Sequence, residues 1–188
     1  MPHTLPVLVT HHLTLRKPLE VDLEAIARCL DDLEVSRWLG SVPHPYTLAD
    51  AREWFEHVET GPRDRRWTIH DATGLVGVVS IGERLREDLP NDDLELGYWL
   101  ARDRWGRGYM GEAARAVVAD HFARGGGDLV SGAQEGNPAS LAIQERLGFT
   151  RTHELRLPSK ALGRDVSVLR TKLTREAFEQ RHAMRDAA

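Results

Sequence analysis

The sequence has one cysteine, no long apolar segment and no excess of positive charge. Because Cys29 is the only cysteine, internal disulfides and thiolate zinc clusters are excluded. The longest nearly apolar run, Gly74 to Gly82, is too short to cross a bilayer. Residues Met1 to Thr10 lack the basic region, apolar block and cleavage site of a secretory signal. We therefore expect a cytoplasmic protein with no membrane partner.

The charge balance also limits the partners. The chain carries 25 basic and 29 acidic side chains, a formal net charge of −4. A local site must therefore hold any anionic ligand, and nucleic acid is not an expected partner. The adjacent His11 and His12 have no carboxylate-rich surroundings in the sequence, so no metal site is predicted. A length of 188 residues favours a single domain over residues 1–188, with a polar tail from about residue 180.

Apolar periodicity predicts strands that alternate with helices. Asp22, Thr47, Asn137 and Thr174 are expected helix N-caps, and a long helix follows the glycine-rich stretch that ends at Gly111. The apolar residues along one side of the first helix are expected to continue to Leu33. Since hairpins need antiparallel pairing, a mixed sheet flanked by helices is predicted. The expected strands are Leu13–Arg16, Trp67–His70, Leu75–Ile81, Leu94–Leu100, Leu129–Ala133, Phe149–Leu157 and Val166–Leu173.

The most informative stretch is a strand, a basic turn and a helix start. The strand ends at Leu100, and the turn reads Trp105-Gly106-Arg107-Gly108-Tyr109-Met110-Gly111. Glycines allow close backbone approach, and the first free amides of a helix bind anions such as pyrophosphate. Arg102, Arg104 and Arg107 add positive charge to it. The alternative is a tight turn with no ligand; the spacing excludes both a Walker A loop and a dinucleotide-binding glycine motif.

A second motif, Asn137-Pro138-Ala139-Ser140, precedes Leu147-Gly148-Phe149 at the end of the same predicted helix. Together with the strand Glu95-Leu96-Gly97-Tyr98-Trp99-Leu100, these segments resemble the acetyl-CoA site of GCN5-related N-acetyltransferases (GNAT), in particular the RimJ/RimL-type branch. The resemblance covers nearly the whole chain.

The resemblance implies an α/β (α+β) fold with a mixed, mostly antiparallel sheet, a splayed strand pair and flanking helices. It implies acetyl-CoA as cosubstrate, with pantetheine between the parted strands. Met110 departs from the family pattern, which has a small residue there, and is expected to crowd the pantetheine or shift the helix start. The implied cofactor-binding residues are Trp99, Leu100, Trp105, Gly106, Arg107, Gly108, Tyr109, Met110, Gly111, Asn137 and Ser140.

The resemblance also suggests catalytic roles. Glu95 occupies the position of a general base that acts through water, and its alternative role is that of a surface carboxylate. Gln144 stands where the family commonly has a tyrosine acid, which leaves Ser140 to donate a hydrogen bond to the leaving sulfur or simply to bond its own helix. Trp38, Tyr46 and Glu83 are expected to border the acceptor pocket, with core packing as the alternative for Trp38.

The leading hypothesis is acetyl transfer from acetyl-CoA to a primary amine by direct attack, with a protein N-terminal α-amine suggested by the RimJ/RimL resemblance. Two alternatives stay open: an acetyltransferase for small-molecule or antibiotic amines, and a non-catalytic acyl-CoA-binding module. Dimers occur in the family, and the sequence leaves a homodimer, the acyl group and the acceptor open.

Overall fold

The computed structural model describes residues 5–58, 64–83 and 94–186, with side chains to residue 183. Eight strands form one sheet in the order β1-β2-β3-β4-β5-β6-β8-β7. β5 and β6 pair in parallel, and all other neighbours are antiparallel. The strands are β1 Leu8–Val9, β2 Thr14–Arg16, β3 Arg65–Asp71, β4 Gly74–Gly82, β5 Leu94–Leu100, β6 Leu129–Gln134, β7 Thr150–Ser159 and β8 Arg164–Leu173.

Six helices flank this sheet and create a core on each of its faces. One core lies under α4 and contains Leu96, Val117 and Leu129; the other lies under α1 and α3 and contains Ile26 and Val78. This arrangement confirms the expected mostly antiparallel sheet flanked by helices. The helices are α1 Leu23–Leu30, α2 Leu33–Ser36, α3 Leu48–Val58, α4 Tyr109–Ala123, α5 Pro138–Leu147 and α6 Arg175–Asp186.

Parallel pairing of β5 and β6 follows from the connection between them. A parallel pair needs a crossover of a dozen or more residues, and α4 supplies it. The stripe that predicted this helix is confirmed, because Val117, Val118, His121 and Phe122 are all buried. The strand, the crossover helix and the next strand thus bring the glycine-rich turn to the ends of two adjacent strands. Within the residues that the structure describes, no helix is long and apolar enough to span a bilayer.

Three predicted helix starts are confirmed by their hydrogen bonds. Thr47 Oγ1 accepts from the Asp50 amide at 3.3 Å, and Thr174 Oγ1 accepts from the Ala177 amide at 3.2 Å. Asn137 caps α5 through its side chain. These caps satisfy amides that a helix cannot pair internally.

Two other expectations are wrong. Asp22 stands at the N-cap position of α1, but its side chain does not cap this helix; the carboxylate binds Arg16 in bidentate fashion, at 2.8 Å for each contact, and the residue is 4% exposed. Leu33 does not continue the first stripe, because α1 ends at Leu30 and Leu33 begins α2 with 38% exposure. The polar end of the chain is helical beyond residue 180, since α6 extends to Asp186.

Candidate active site

β5 and β6 part soon after they meet. Within the described residues, their ladder consists of two pairs, Leu94 with Leu129 and Glu95 with Val130. Ser131 Oγ donates to the Leu96 carbonyl at 2.9 Å and closes the base of the gap. Beyond this bond β5 continues to Leu100 and β6 to Gln134, and the two strands no longer pair with each other. The result is a V-shaped cleft, as the resemblance implied.

The β5 side of this V presents backbone polar groups. Because the Leu96 carbonyl points to β6, the two-residue period of a strand places the amide and carbonyl of Tyr98 on the same edge. The Leu100 carbonyl accepts from the Trp105 indole N–H at 3.0 Å. An extended amide-containing chain that enters the V can therefore pair with Tyr98 as an added strand does.

The glycine-rich turn opens on the mouth of the V. Gly106 and Gly108 have φ of 75° and 78°, which L side chains rarely adopt, and a Cβ built on either has nothing within 4 Å. α4 begins at Tyr109 with Gly108 as N-cap, and no side chain caps it. Its first amides are therefore free to bind an anion, in open space and at the positive end of the helix dipole.

Met110 does not obstruct this turn. Its side chain is 5% exposed and packs in the core under α4. A Cβ built on Gly111 likewise meets nothing within 4 Å, so the outer side of the turn remains clear. α4 begins at Tyr109, two residues before the end of the glycine-rich stretch after which the helix was expected.

The three arginines near the turn are not equivalent. Arg104 Nε donates to Asp71 at 3.0 Å and Nη2 donates to Thr73 at 2.8 Å, so this side chain holds the β3–β4 turn. Arg102 Nη1 lies 3.9 Å from Asp32. Arg107 is exposed and has no ion-pair partner in the described part of the chain. The prediction that Arg104 adds charge to the anion site is therefore corrected, and Arg107 is the better candidate.

The start of α5 forms the opposite wall. Asn137 Oδ1 accepts from the Ser140 amide at 3.1 Å, and Pro138 occupies the first helical position. This cap fixes the first turn of α5 and with it the position of Ser140. Gly148 ends the helix with φ of 103°.

Glu95 lies on the sheet face that α1 and α3 cover, opposite to the Leu96 and Leu100 side chains. Its side chain is 33% exposed, and Oε1 accepts from Nη1 of Arg170 on β8 at 2.5 Å. Arg170 is 6% exposed, and its Nη2 is buried with no hydrogen-bond partner in the described residues. A buried guanidinium thus orients the predicted base, which sequence reasoning did not foresee.

Ser140 belongs to a small polar network between β5 and α5. Its Oγ lies 3.0 Å from the Tyr98 hydroxyl and accepts from Gln144 Nε2 at 3.2 Å. Gln144 is completely buried and also donates to the Gly132 carbonyl at 3.1 Å. The residue in the position of the family tyrosine therefore supports Ser140 instead of facing the V.

The family can be decided by comparison with known proteins. A family model described as an acetyltransferase (GNAT) domain matches residues 12–150. The chain belongs to the GNAT family. One relative of this GNAT chain is the uncharacterized protein YkkB of Bacillus subtilis strain 168, which is 36% identical over 155 residues, or 72% of this chain and 87% of YkkB.

Solved structures share the GNAT fold. RimJ of Mycobacterium smegmatis, in complex with CoA-disulfide, superposes with a TM-score of 0.75 at 21% identity, over 93% of this chain and 88% of RimJ. An acetyl transferase from Salmonella typhimurium that modifies the N-terminal serine of ribosomal protein L7/L12 superposes with a TM-score of 0.74 at 19% identity. The match covers 89% of this chain and 98% of that protein. Spermidine N-acetyltransferase from Vibrio cholerae, in complex with CoA and spermine, superposes with a TM-score of 0.75 at 19% identity. The match covers 90% of this chain and 99% of that protein.

These findings show that the GNAT chain is an acetyl-CoA-dependent acyltransferase. The residues present also fit this cosubstrate. The uncapped start of α4 offers amides to a pyrophosphate, and the free edge of β5 offers an amide and a carbonyl to a pantetheine arm. The residue assignments, from Trp99 and Leu100 through the turn to Asn137, stay predictions.

The three predicted acceptor residues of this GNAT protein differ in their surroundings. Trp38 lies against the turn after β6, since its ring is 3.8 Å from a Cβ built on Gly136. Tyr46 is 6% exposed in the core under α1 and α3, and burial raises its pKa to about 12. Glu83 is exposed at the end of β4, next to residues outside the described ranges. Trp38 therefore has the position that best suits the acceptor role.

Two polar groups of the site escaped sequence reasoning. From the sequence, Tyr98 has no role beyond its place in the strand motif, and Arg170 belongs to no motif. The strand alternation did place Tyr98 on the α4 side, but the contact of its hydroxyl with Ser140 depends on how α5 packs. No local pattern predicts either contact.

Proposed function

We propose that the protein transfers the acetyl group of acetyl-CoA to the α-amine of a polypeptide by direct attack. The observation that carries this proposal is the placement of two polar groups around the V. Glu95 lies near its base on one sheet face, and Ser140 lies at the start of α5 on the other side. Acyl transfer needs a base for the attacking amine and a hydrogen-bond donor for the departing sulfur.

The residues of the chain then act as follows. The amides of the turn and Arg107 hold the pyrophosphate, and the edge of β5 orients the pantetheine. The neutral amine attacks the thioester carbon, a C–N bond forms, and the C–S bond breaks. Glu95 accepts the proton of the attacking nitrogen through a water, and Ser140 Oγ donates a hydrogen bond to the departing sulfur. A thiolate is a tolerable leaving group, since an ordinary thiol has a pKa of about 8.5.

The charge around Glu95 favours an α-amine over a polyamine. Arg170 balances the carboxylate, so this pair offers no net negative charge to a polycation. One carboxylate oxygen is already occupied by the guanidinium. An amine that is partly neutral near pH 7 needs least help from such a base, and α-amines have a pKa of about 7.7 to 8.0 against about 10.4 for lysine.

A panel of acceptors tests this proposal by mass spectrometry. Peptides with a free N-terminus, the same peptides with a blocked N-terminus and one lysine, and spermidine are each incubated with acetyl-CoA. We expect one acetyl group on the free N-terminus and none on the blocked peptide. Acetylation of spermidine alone supports the small-molecule alternative and contradicts the α-amine proposal.

The role of Glu95 is tested by Glu95→Gln, which keeps an oxygen for Arg170 but removes the base. We expect kcat/KM to fall about 100-fold below the pKa of the acceptor amine and less above it. Glu154→Gln, on the exposed part of β7, is the matched control. Equal rates for the two variants at all pH values contradict the assignment.

The sequence left open a non-catalytic acyl-CoA-binding module, and the match to an acetyltransferase domain model argues against it. Gln144 replaces the family tyrosine, and its buried amide cannot act as an acid. Binding of acetyl-CoA with no release of free thiol across the whole panel is the result that this alternative predicts.

A further inference from the structure

Tyr98 places a second hydroxyl beside Ser140. It extends from β5 toward α5, and its oxygen lies 3.0 Å from Ser140 Oγ and 3.1 Å from the Ser140 carbonyl oxygen. The contact joins one arm of the V to the helix that follows the other arm. The two hydroxyls therefore form a unit in the wall of the cleft.

The orientation of the Gln144 amide is fixed by its neighbours. The Gly132 carbonyl can only accept, so the atom 3.1 Å from it must be the amide nitrogen. Gln144 Oε1 then accepts from Thr171 Oγ1 at 2.7 Å. The second hydrogen of Nε2 has Ser140 Oγ at 3.2 Å and the Tyr98 hydroxyl oxygen at 3.5 Å, and the shorter distance favours Ser140 Oγ. Ser140 Oγ consequently accepts a hydrogen bond from Gln144.

The hydrogen bonds within this network determine which hydroxyl proton is left to bind a ligand. The Tyr98 hydroxyl has one proton and two acceptors at nearly equal distance, the carbonyl and Oγ of Ser140. When it donates to Oγ, both lone pairs of Oγ are occupied, by Tyr98 and Gln144. The only remaining capacity of Ser140 Oγ is then to donate its own proton, which is directed out of the network.

We propose that Tyr98 and Gln144 are positioning residues that direct the Ser140 proton to the sulfur of the coenzyme. This inference rests on the proposed function and extends it to two residues that the family motif does not assign. As negative charge develops on the sulfur, the arrangement in which Tyr98 donates to Ser140 Oγ becomes favoured. A chain of hydrogen bonds strengthens the terminal one, and the start of α5 adds a positive helix end.

Tyr98 acts in this scheme as a hydrogen-bond donor and not as a proton source. Burial raises the pKa of Tyr98 above its usual value of 10.0, although Ser140 and Gln144 partly oppose the shift. A thiolate whose conjugate thiol has a pKa of about 8.5 is too weak a base to take a proton from such a phenol. The phenol therefore remains intact, and the released thiolate takes its proton from solvent.

Binding of free CoA tests the inference without any acceptor amine. Its thiol is converted to a thiolate between about pH 7 and pH 9.5. We expect wild-type affinity to rise about tenfold over this range, because a hydroxyl bonds a thiolate more strongly than a thiol. Desulfo-CoA, which has no sulfur, is the control and should show no such gain in calorimetry.

Three variants complete the experiment. Tyr98→Phe and Ser140→Ala are each expected to reduce the gain to about twofold or less. The double variant should be no worse than Ser140→Ala alone, because Tyr98 acts only through Ser140. Desulfo-CoA should bind Tyr98→Phe as it binds wild type, which shows that the site remains folded.

The outcomes separate the two proposals. A wild-type gain that survives in Tyr98→Phe, or losses that add in the double variant, overturn the inference and leave the proposed function standing. Wild-type binding of CoA with no gain at all has the same effect. Failure of wild type to bind either CoA or desulfo-CoA overturns the proposed function and the inference together.

Discussion

The two helices that begin at the V differ in how they start. α4 has Gly108 as N-cap with no side chain over its first amides, whereas α5 has Asn137, whose Oδ1 accepts from the Ser140 amide. An uncapped helix end must find partners elsewhere, and a bound anion is a suitable one. A capped end is satisfied by its own chain and can instead hold a side chain in a fixed place. We therefore propose that the start of α4 binds the coenzyme and that the start of α5 holds the donor to the leaving sulfur.

The largest effect is expected at the start of α4. Gly108→Val places a branched side chain at a φ of 78° and in the open space before the amides. We expect the affinity for acetyl-CoA in calorimetry to fall about 100-fold, since strain and lost contacts both act. Gly125→Val is the matched control, because Gly125 has a φ of 80° and equally open surroundings at the other end of α4. Equal affinities of the two variants contradict the assignment.

A smaller effect on rate is expected at the start of α5. Ser140→Ala removes the proposed donor to the sulfur but leaves the α4 amides intact. We expect kcat to fall about tenfold with little change in acetyl-CoA affinity, as loss of one charge-assisted hydrogen bond implies. Stopped-flow measurement of thiol release separates chemistry from binding. A loss of affinity with unchanged kcat would reverse the roles of the two helices.

The cap itself should matter for stability. Asn137→Ala leaves the Ser140 amide without its acceptor, and we expect the free energy of unfolding to fall by about 1 kcal/mol. Asn137→Asp keeps an acceptor oxygen and is expected to retain wild-type stability in urea titration. If the Asn137→Ala and Asn137→Asp variants have equal free energies of unfolding, the cap does not stabilise the first turn of α5.

A comparable but pH-dependent effect on stability is expected at Glu112, in the first turn of α4. Its carboxylate accepts from Thr10 Oγ1 at 2.5 Å and from the His12 amide at 2.8 Å. Burial alone raises its pKa, but these hydrogen bonds lower the pKa of Glu112 below its usual value of 4.5. The group therefore stabilises the fold fully above pH 4.5, and this contribution is lost as pH falls through the lowered pKa.

Glu112→Gln should consequently lower the free energy of unfolding by about 1 kcal/mol at pH 7. The difference from wild type should shrink as the pH falls below 4.5 in urea titrations. Glu24→Gln, an exposed carboxylate in the first turn of α1, is the control and should show neither change. A difference that stays constant from pH 7 to pH 3 is incompatible with this assignment.

Local features were predictable from the sequence because their physical causes are local. Asn137 before Pro138 predicts a capped helix, and the glycines before Tyr109 predict a turn with positive φ. The sheet and the parting of β5 from β6 followed from the family resemblance.

Contacts between distant segments were not predictable. Arg104 was read as part of the anion site, but Asp71 is 3.0 Å from it across the β3–β4 turn. Asp22 was read as a cap, but Arg16 on β2 binds it. Arg170 reaches Glu95 from β8, and Tyr98 reaches Ser140 from β5. A polar side chain can form hydrogen bonds within its own segment or with another element of the fold, and tertiary packing decides which of these bonds forms.

A crystal structure of the protein with CoA tests the central claim most directly. The account predicts that the pyrophosphate lies on the amides of residues 108–111 and that the sulfur lies within hydrogen-bond distance of Ser140 Oγ, between β5 and β6. A pyrophosphate bound away from the start of α4, or a sulfur remote from Ser140, would contradict it.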